Sequence, residues 1–428
     1  MFGTSGIRGI YGKEITEELA FGVANIFVEK ELVVGRDIRK SGASLRDAVS
    51  KGVLEAGADF IDLGIVPTPT VALAAKKCRG IMITASHNPP EYNGLKLIEK
   101  GKEICKELEK KVQNDFGKRR RGDGGQYYFD CDAVDSHKNL VMSLVDGKLI
   151  AKKKPKILVD CNGAACVITP SILTDLGCRV TSVNASLDCF NRLSEPSKEN
   201  ITYLCDLVRK TKADFAIAHD GDGDRCVIVD DTGEVLPFDV QLAMMIENEL
   251  SSKNKKIIST VEASLAIREV VEKKGGNIEI TPVGSTYVGD ALERTNAIFG
   301  GEPCGEYIYK DGVHVPDAVL GAAKFVEIFC KKGKFSELKK AYRQYFITRE
   351  KFPVKDRYNI IKKVKKSVNI EGKIRDDDGI RVDEEDGWFL IRASGTEPII
   401  RLTMEYKTKE RLEKRKAEIT KLLKGFLV

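Results

Sequence analysis

The chain has 428 residues, 42% hydrophobic and 31% charged, with 13 prolines. This ordinary globular composition excludes disordered and fibrous classes, and at about 150 residues per domain it predicts about three domains. Lys and Arg total 70 against 64 Asp and Glu, so the net charge of +6 gives no reason to expect nucleic-acid binding.

In chain order, short apolar runs read as buried strands, each ending in a polar or glycine-containing loop. Leu32 to Val34 leads into Gly35-Arg36-Asp37, and Ile81 to Ile83 leads into Thr84-Ala85-Ser86-His87-Asn88-Pro89. Ile157 to Val159 leads into Asp160-Cys161-Asn162-Gly163, and Phe215 to Ala218 leads into His219-Asp220-Gly221-Asp222-Gly223-Asp224-Arg225. Helical patterns lie between them at Ser44 to Ala56 and Ile201 to Arg209. The alternation predicts an α/β protein with parallel sheets, whose ligands collect beyond the carboxyl ends of the strands, where all four loops lie. The basic run Lys118 to Arg121, followed by three glycines within four residues, reads as a solvated loop. Ala151 to Pro155 reads as an exposed connection into a new domain, and another boundary falls near Pro237. From about Ile347, a strand at Trp388 to Ile391, a loop at Arg392 to Pro398 and a charged helix from Lys409 to Leu423 form a small α+β unit.

Eleven cysteines without a C-x-x-C pair fit neither a complete disulfide framework nor a zinc ribbon, and the expected compartment is the reducing cytoplasm. The amino-terminal residues show no basic-then-apolar leader, and no apolar run approaches the roughly 18 residues of a membrane span, so neither targeting nor a membrane partner is expected.

Asp220, Asp222 and Asp224 alternate with glycines, so three carboxylates can converge in one tight turn. Such hard oxygen donors suit Mg²⁺ or Ca²⁺, the other reading being a solvated acidic turn. Arg225 and Asp231 occupy the places where a calcium-sensor loop needs glycine and glutamate, which disfavours that use. Ser86 is a hydroxyl on a proline-stiffened loop; His87 beside it can donate to an anion, and Lys96 can serve as acid or base if the fold brings it near. Arg392, Ser394, Gly395, Thr396 and Arg401 supply guanidinium groups, hydroxyls and a flexible backbone, the composition of a phosphate cradle or of an ordinary strand-end turn. Arg8, in Gly3-Thr4-Ser5-Gly6-Ile7-Arg8-Gly9, either faces a phosphate or caps a turn.

Together these strings resemble the α-D-phosphohexomutase family over nearly the whole chain and in the family's order. Phe2 to Gly9 is similar to its opening signature, Thr84 to Pro89 to its phosphoserine loop, and Asp220 to Arg225 to its metal loop. Gly301 to Tyr307 is similar to its sugar loop and Arg392 to Arg401 to its phosphate loop. The resemblance implies three α/β domains with mixed or parallel sheets and a smaller C-terminal α+β domain around a central cleft, with boundaries at 1–148, 149–236, 237–346 and 347–428. It implies that Ser86 carries a phosphoryl group and that Asp220, Asp222 and Asp224, with a phosphate oxygen on Ser86, bind one Mg²⁺. Arg8 and Arg225 then steady the transferring group, His87 supports the phosphoserine, and Lys96 is a general acid or base. The implied reaction interconverts hexose 6-phosphate and hexose 1-phosphate through a hexose 1,6-bisphosphate that also activates the enzyme. The implied partner is thus a small hexose phosphate, and the oligomeric state is left open.

The sugar loop departs from the family's common G-E-x-S-G-H. Glu302 is kept, but Cys304 replaces the serine and Glu306 the histidine, and a carboxylate cannot imitate an imidazole donor at neutral pH. Gly284 matches the glycine of the family's other sugar-contacting loop. The opening Phe2-Gly3-Thr4-Ser5-Gly6-Ile7-Arg8-Gly9 is closer to phosphoglucosamine mutases than to the A-Y-D-I-R-G opening of many phosphomannomutase/phosphoglucomutase enzymes. The favoured reaction is glucosamine 6-phosphate to glucosamine 1-phosphate, with phosphomannomutase/phosphoglucomutase activity as the alternative. A reading of another class is a non-catalytic sugar-phosphate or divalent-ion binding protein, which the altered Cys304 and Glu306 favour and the intact Ser86, Lys96 and three aspartates oppose.

Overall fold

Each apolar run expected to be a strand is one, because its centre is sealed from water on both faces, as parallel sheets covered by helices require. The computed structural model describes residues 1–3, 5–250, 254–367, 370–394 and 398–426. Its strands form four sheets, arranged successively along the chain.

In the first sheet the spatial order is Ile7–Ile10, Tyr92–Glu99, Arg79–Ile83, Glu31–Arg36, Asp59–Ile65 and Tyr127–Phe129. The last four are parallel, while Tyr92–Glu99 runs antiparallel to both of its neighbours. The second sheet orders Cys226–Val229, Phe215–His219, Lys156–Asp160 and Arg179–Val183, and the third orders Asn277–Thr281, Lys256–Thr260, Phe299–Glu302 and Glu306–Tyr309. Each of these two is parallel except for one antiparallel edge strand, Cys226–Val229 in the second and Glu306–Tyr309 in the third. The fourth sheet is antiparallel throughout, from Phe346–Pro353 through Ile399–Tyr406, Gly387–Ala393 and Ile380–Asp383 to Lys373–Arg375. The helices Arg357–Ser367 and Lys409–Lys424 contribute Ile360, Val364, Leu412 and Ile419 to its apolar core.

The second and third sheets share one apolar core. The helix Ala318–Lys332 contributes Phe325 and Val326 to a cluster that also holds Ile157 and Phe215 from the second sheet and Ile257 and Phe299 from the third. The first and fourth units have cores of their own. The basic run at residues 118–121 is exposed, as expected. Residues 151–153 differ from the expected open connection: they complete the helix Gly147–Lys153, which ends at Lys154 in a left-handed conformation. Lys152 and Lys153 stabilise the negative end of that helix, so the lysines that resemble a linker serve a helix terminus. Among the described residues no helix is long and apolar enough to cross a membrane.

Candidate active site

Residues 84–91 connect Arg79–Ile83 to the antiparallel Tyr92–Glu99, and that reversal brings Lys96 back opposite Met82. On the other side, Arg8 pairs with Gly94. Directly opposed residues share a face, as do residues two apart on one strand, so Arg8 and Lys96 project together. Gly94 is required there, since a Cβ would lie 2.3 Å from the Ile7 carbonyl oxygen and 2.8 Å from that of Thr84. Ser86 itself is buried with φ +51°, a left-handed conformation uncommon outside glycine, asparagine and aspartate.

A tight turn between Phe215–His219 and the antiparallel Cys226–Val229 carries the three aspartates, all buried. Each offers one carboxylate oxygen within 4.8 Å of the others. Ser86 Oγ donates to Asp220 Oδ2 at 3.0 Å, and His87 Nδ1 lies 3.3 Å from the same hydroxyl. Lys96 Nζ donates to Asp222 Oδ2 at 2.7 Å and to Asp224 Oδ2 at 2.5 Å. The ammonium thus supplies the positive charge that three crowded carboxylates need. Two further oxygens, Asp222 Oδ1 and Asp224 Oδ1, are buried without a hydrogen-bond partner. Buried orphan acceptors are costly, and a carboxylate cluster with two of them is a fitting seat for a hard divalent cation.

The electrostatics follow from this crowding. Burial raises the Asp220 carboxyl well above its usual value, and the Asp224 and Asp222 charges add to the rise. Burial pushes Asp222 the same way, but Lys96 and the Thr68 hydroxyl, 2.6 Å from Oδ2, outweigh it and hold the group below the usual carboxylate range. For Lys96 burial disfavours the proton, yet Asp222 and Asp224 raise its affinity above that of an ordinary lysine. With this set of partners Lys96 is a protonated donor. The Arg225 charge, followed by burial and Arg8, keeps His87 neutral at physiological pH.

Across the cleft, the loop that follows Glu302 meets the aspartate loop directly. Cys226 N–H donates to the Gly305 carbonyl at 3.0 Å, and Arg225 and Glu306 form an isolated antiparallel bridge. Their side chains pair as well, Arg225 Nε at 3.1 Å and Nη2 at 3.0 Å from Glu306 Oε1. Glu302 is buried and accepts the Gly284 N–H at 3.3 Å. Burial, with Glu306 and Glu262 nearby, raises its carboxyl well above the usual range. Cys304 is partly buried between these two glutamates in the chain, and its N–H donates to the Glu302 carbonyl at 2.8 Å.

Arg392 and Arg401 are opposed on adjacent antiparallel strands of the fourth sheet. Arg392 lies 3.3 Å from Asp378 and 3.8 Å from Glu262 of the third unit, and the neighbouring Ser394 is buried. Gly395 and Thr396 lie outside the described residues.

Several residues of this constellation escape sequence reasoning. Thr68 joins the first unit to the aspartate loop, its N–H donating to the Asp222 carbonyl at 2.8 Å in addition to the side-chain bond. Arg39, buried and paired with Asp37, donates to the carbonyl oxygens of Ser86, Asn88, Pro89 and Tyr92, so one guanidinium holds the whole Ser86 loop. Its place just beyond a strand-end loop is the signal that could have found it. Ser194, in Leu193-Ser194-Glu195-Pro196, carries no such signal.

Comparison with known proteins gives four family matches in order. The models for phosphoglucomutase/phosphomannomutase alpha/beta/alpha domains I, II and III match residues 1–122, 134–233 and 239–345, and that for the C-terminal domain matches 350–422. A phosphoglucomutase/phosphomannomutase of Thermococcus kodakarensis is 38% identical, over 96% of this chain and 95% of the relative. A phosphoglucosamine mutase of Methanococcus vannielii is 38% identical, over 95% of each. Among solved structures, a phosphoglucomutase/phosphomannomutase family protein of Burkholderia thailandensis superposes with a TM-score of 0.88 at 26% identity, covering 99% of this chain and 97% of that one.

Proposed function

The chain belongs to the phosphoglucomutase/phosphomannomutase family and is a phosphohexomutase, an isomerase; on that premise we propose that it interconverts glucosamine 6-phosphate and glucosamine 1-phosphate through phosphorylated Ser86. The observation that carries the proposal is the Ser86 hydroxyl, 3.0 Å from Asp220 in a cluster of three buried aspartates whose other two members hold the Lys96 ammonium.

Phosphoryl transfer asks little covalent chemistry of a protein and much positioning and charge neutralisation. Ser86, as phosphoserine, gives its phosphoryl group to the free hydroxyl of a hexose monophosphate, forming the bisphosphate. After the sugar turns, the other phosphate returns to Ser86. Arg8 and Arg225 offer guanidinium donors to the oxygens of the moving group. As the seryl oxygen leaves, Ser86 Oγ gains the proton that the attacking sugar hydroxyl loses, with Lys96 as the general acid or base that passes it on, while neutral His87 holds the seryl oxygen in place. Asp220, Asp222 and Asp224 would hold Mg²⁺, which when bound supplies positive charge against the phosphoryl oxygens. A phosphate on Ser86 adds charge and strong acceptors to that site, so the phosphorylated form should bind Mg²⁺ more tightly.

The labour divides among domains at 1–148, 149–236, 237–346 and 347–428: phosphoserine loop, metal loop, sugar loop and phosphate cradle. Glu302, Gly284, Cys304 and Glu306 face the sugar, and Arg392, Ser394, Gly395, Thr396 and Arg401 hold whichever phosphate is not reacting. Glu306 offers a carboxylate to the substrate ammonium, which supports the amino sugar over neutral hexoses. Relatives named phosphoglucosamine mutase support the same choice. The relative named phosphoglucomutase/phosphomannomutase, equally identical, keeps mannose and glucose phosphates as the second reading.

The test is mutase turnover with Mg²⁺ and a trace of hexose bisphosphate, comparing glucosamine, mannose and glucose phosphates in parallel. Preference for the amino sugar is expected, and preference for mannose or glucose overturns the sugar assignment. Intact mass should show one phosphoryl group that is absent in Ser86→Ala; its absence from an active wild type overturns the phosphoserine.

A further inference from the structure

Ser86 is held by both of its backbone polar groups. Its N–H donates to Thr84 Oγ1 at 2.8 Å, and its carbonyl oxygen accepts from Arg39 Nη2 at 2.8 Å and from Ser194 Oγ at 2.7 Å. A left-handed residue other than glycine is strained, so such fastening is needed to keep it there. Ser194 is completely buried, and its oxygen also accepts the Gly221 N–H at 2.9 Å. An N–H can only donate, so the single hydroxyl proton of Ser194 must point to the Ser86 carbonyl. Gly221 directly follows Asp220, whose carboxylate accepts the Ser86 hydroxyl. The hydrogen bonds therefore close a ring: Gly221 N–H to Ser194 Oγ, Ser194 O–H to the Ser86 carbonyl, Ser86 Oγ–H to Asp220. A Cβ on residue 221 would lie 2.6 Å from Ser194 Oγ, so the hydroxyl fills the space the glycine leaves.

We infer that Ser194 is a positioning residue for phosphoryl transfer, tying the backbone of the nucleophile to the backbone of the aspartate loop and setting the spacing between them. The inference rests on the reading that Ser86 carries the phosphoryl group. Once Ser86 Oγ is esterified it has no proton, and its bond to Asp220 is lost. The Ser194 half of the ring uses only backbone atoms of Ser86 and Gly221, so it survives phosphorylation. It keeps the two loops in register in the state that reacts.

Ser194→Ala opens the ring without adding bulk. The expected result is a fall in kcat of about 10-fold, the scale of one lost buried hydrogen bond, with KM within twofold and Ser86 still phosphorylated by intact mass. A single-turnover measurement of phosphoryl transfer from the phosphorylated enzyme to hexose 1-phosphate should slow by the same factor, a readout that general loosening of the fold would not move alone. If Ser194→Ala does not fold, Ser194→Cys, close in size and a poor hydrogen-bond donor, is measured by the same criteria. Unchanged kcat, or a loss confined to KM, overturns the inference. A wild type that is neither phosphorylated on Ser86 nor active as a mutase overturns the functional reading instead, whereas a phosphorylated, active wild type with an indifferent variant overturns only the role of Ser194.

Discussion

On the side of the cleft that carries Ser86, the first and second units meet through short, directional polar contacts: Thr68 and Lys96 on Asp222, Ser194 between Ser86 and Gly221. On the side that carries Arg392, the third and fourth units meet through a buried contact. There the Arg381 guanidinium lies 3.8 Å over the Trp388 ring and donates to the carbonyl oxygens of Val261 and Ala263. Trp388 Nε1 and Leu265 N–H both donate to Glu405, at 2.6 and 2.8 Å, and Val261, Trp388 and Leu390 form a shared apolar cluster. The first junction fixes reacting atoms to each other. The second fixes one whole unit against another. Tolerance to substitution should differ accordingly: the first junction should fail in kcat, the second in stability and KM.

The strongest break of the first junction is Ser86→Ala, which removes the proposed phosphoryl carrier; turnover should fall about a thousandfold or more with the melting profile preserved. The corresponding break of the second junction is Arg381→Met. It removes a buried cation and leaves two carbonyl groups and Asp383 without it, at a cost of about 3 kcal/mol. A lower thermal midpoint and a raised KM are expected, with kcat changed less, because Arg392 and Ser394 lose their firm base.

Glu306→Gln tests the ion pair between the aspartate loop and the third unit. It weakens the hold on Arg225 and removes the carboxylate proposed to meet the ammonium, so kcat/KM should drop about tenfold with glucosamine phosphate and less with glucose phosphate, about 1.4 kcal/mol for the former. Equal losses with both sugars would leave Glu306 only its role on Arg225.

The smallest effect is a pH dependence at the second junction. Burial pushes the Glu405 carboxyl up to about 7 from an ordinary 4.5. The folded state therefore keeps a proton that the unfolded chain has released, and the stability this contributes is full below about 4.5 and lost as pH rises through 7. Glu405→Gln keeps an acceptor for both donors and never ionises. Its thermal midpoint should match the wild type near pH 5 and exceed it by about 2 °C near pH 8. A gain that is the same at both pH values would deny the ionisation of Glu405.

Much of this molecule was legible because its signals are local. Buried runs such as 32–34 and 215–218 declare parallel strands, the strand-end loops declare where ligands gather, and alternating aspartates and glycines declare a turn able to converge three carboxylates. The motif order points to the family, and the four matching domain models agree with it. Lys96 was nameable only as a member of a group, since nothing in Asn93-Gly94-Leu95-Lys96 says that its ammonium reaches carboxylates 126 and 128 residues away.

By itself, then, the sequence determined the α/β class, the four loops that bear chemistry and the residue types each supplies, because periodicity, turn composition and donor chemistry are written in neighbouring residues. Tertiary structure alone decided that Arg225 meets Glu306 across the cleft, that one arginine at position 39 clamps the Ser86 loop, and that an unremarkable Ser194 closes a ring between two domains. Those contacts join residues 47 to 108 positions apart in the chain, and a hydrogen bond between distant residues leaves no periodicity for a sequence to show.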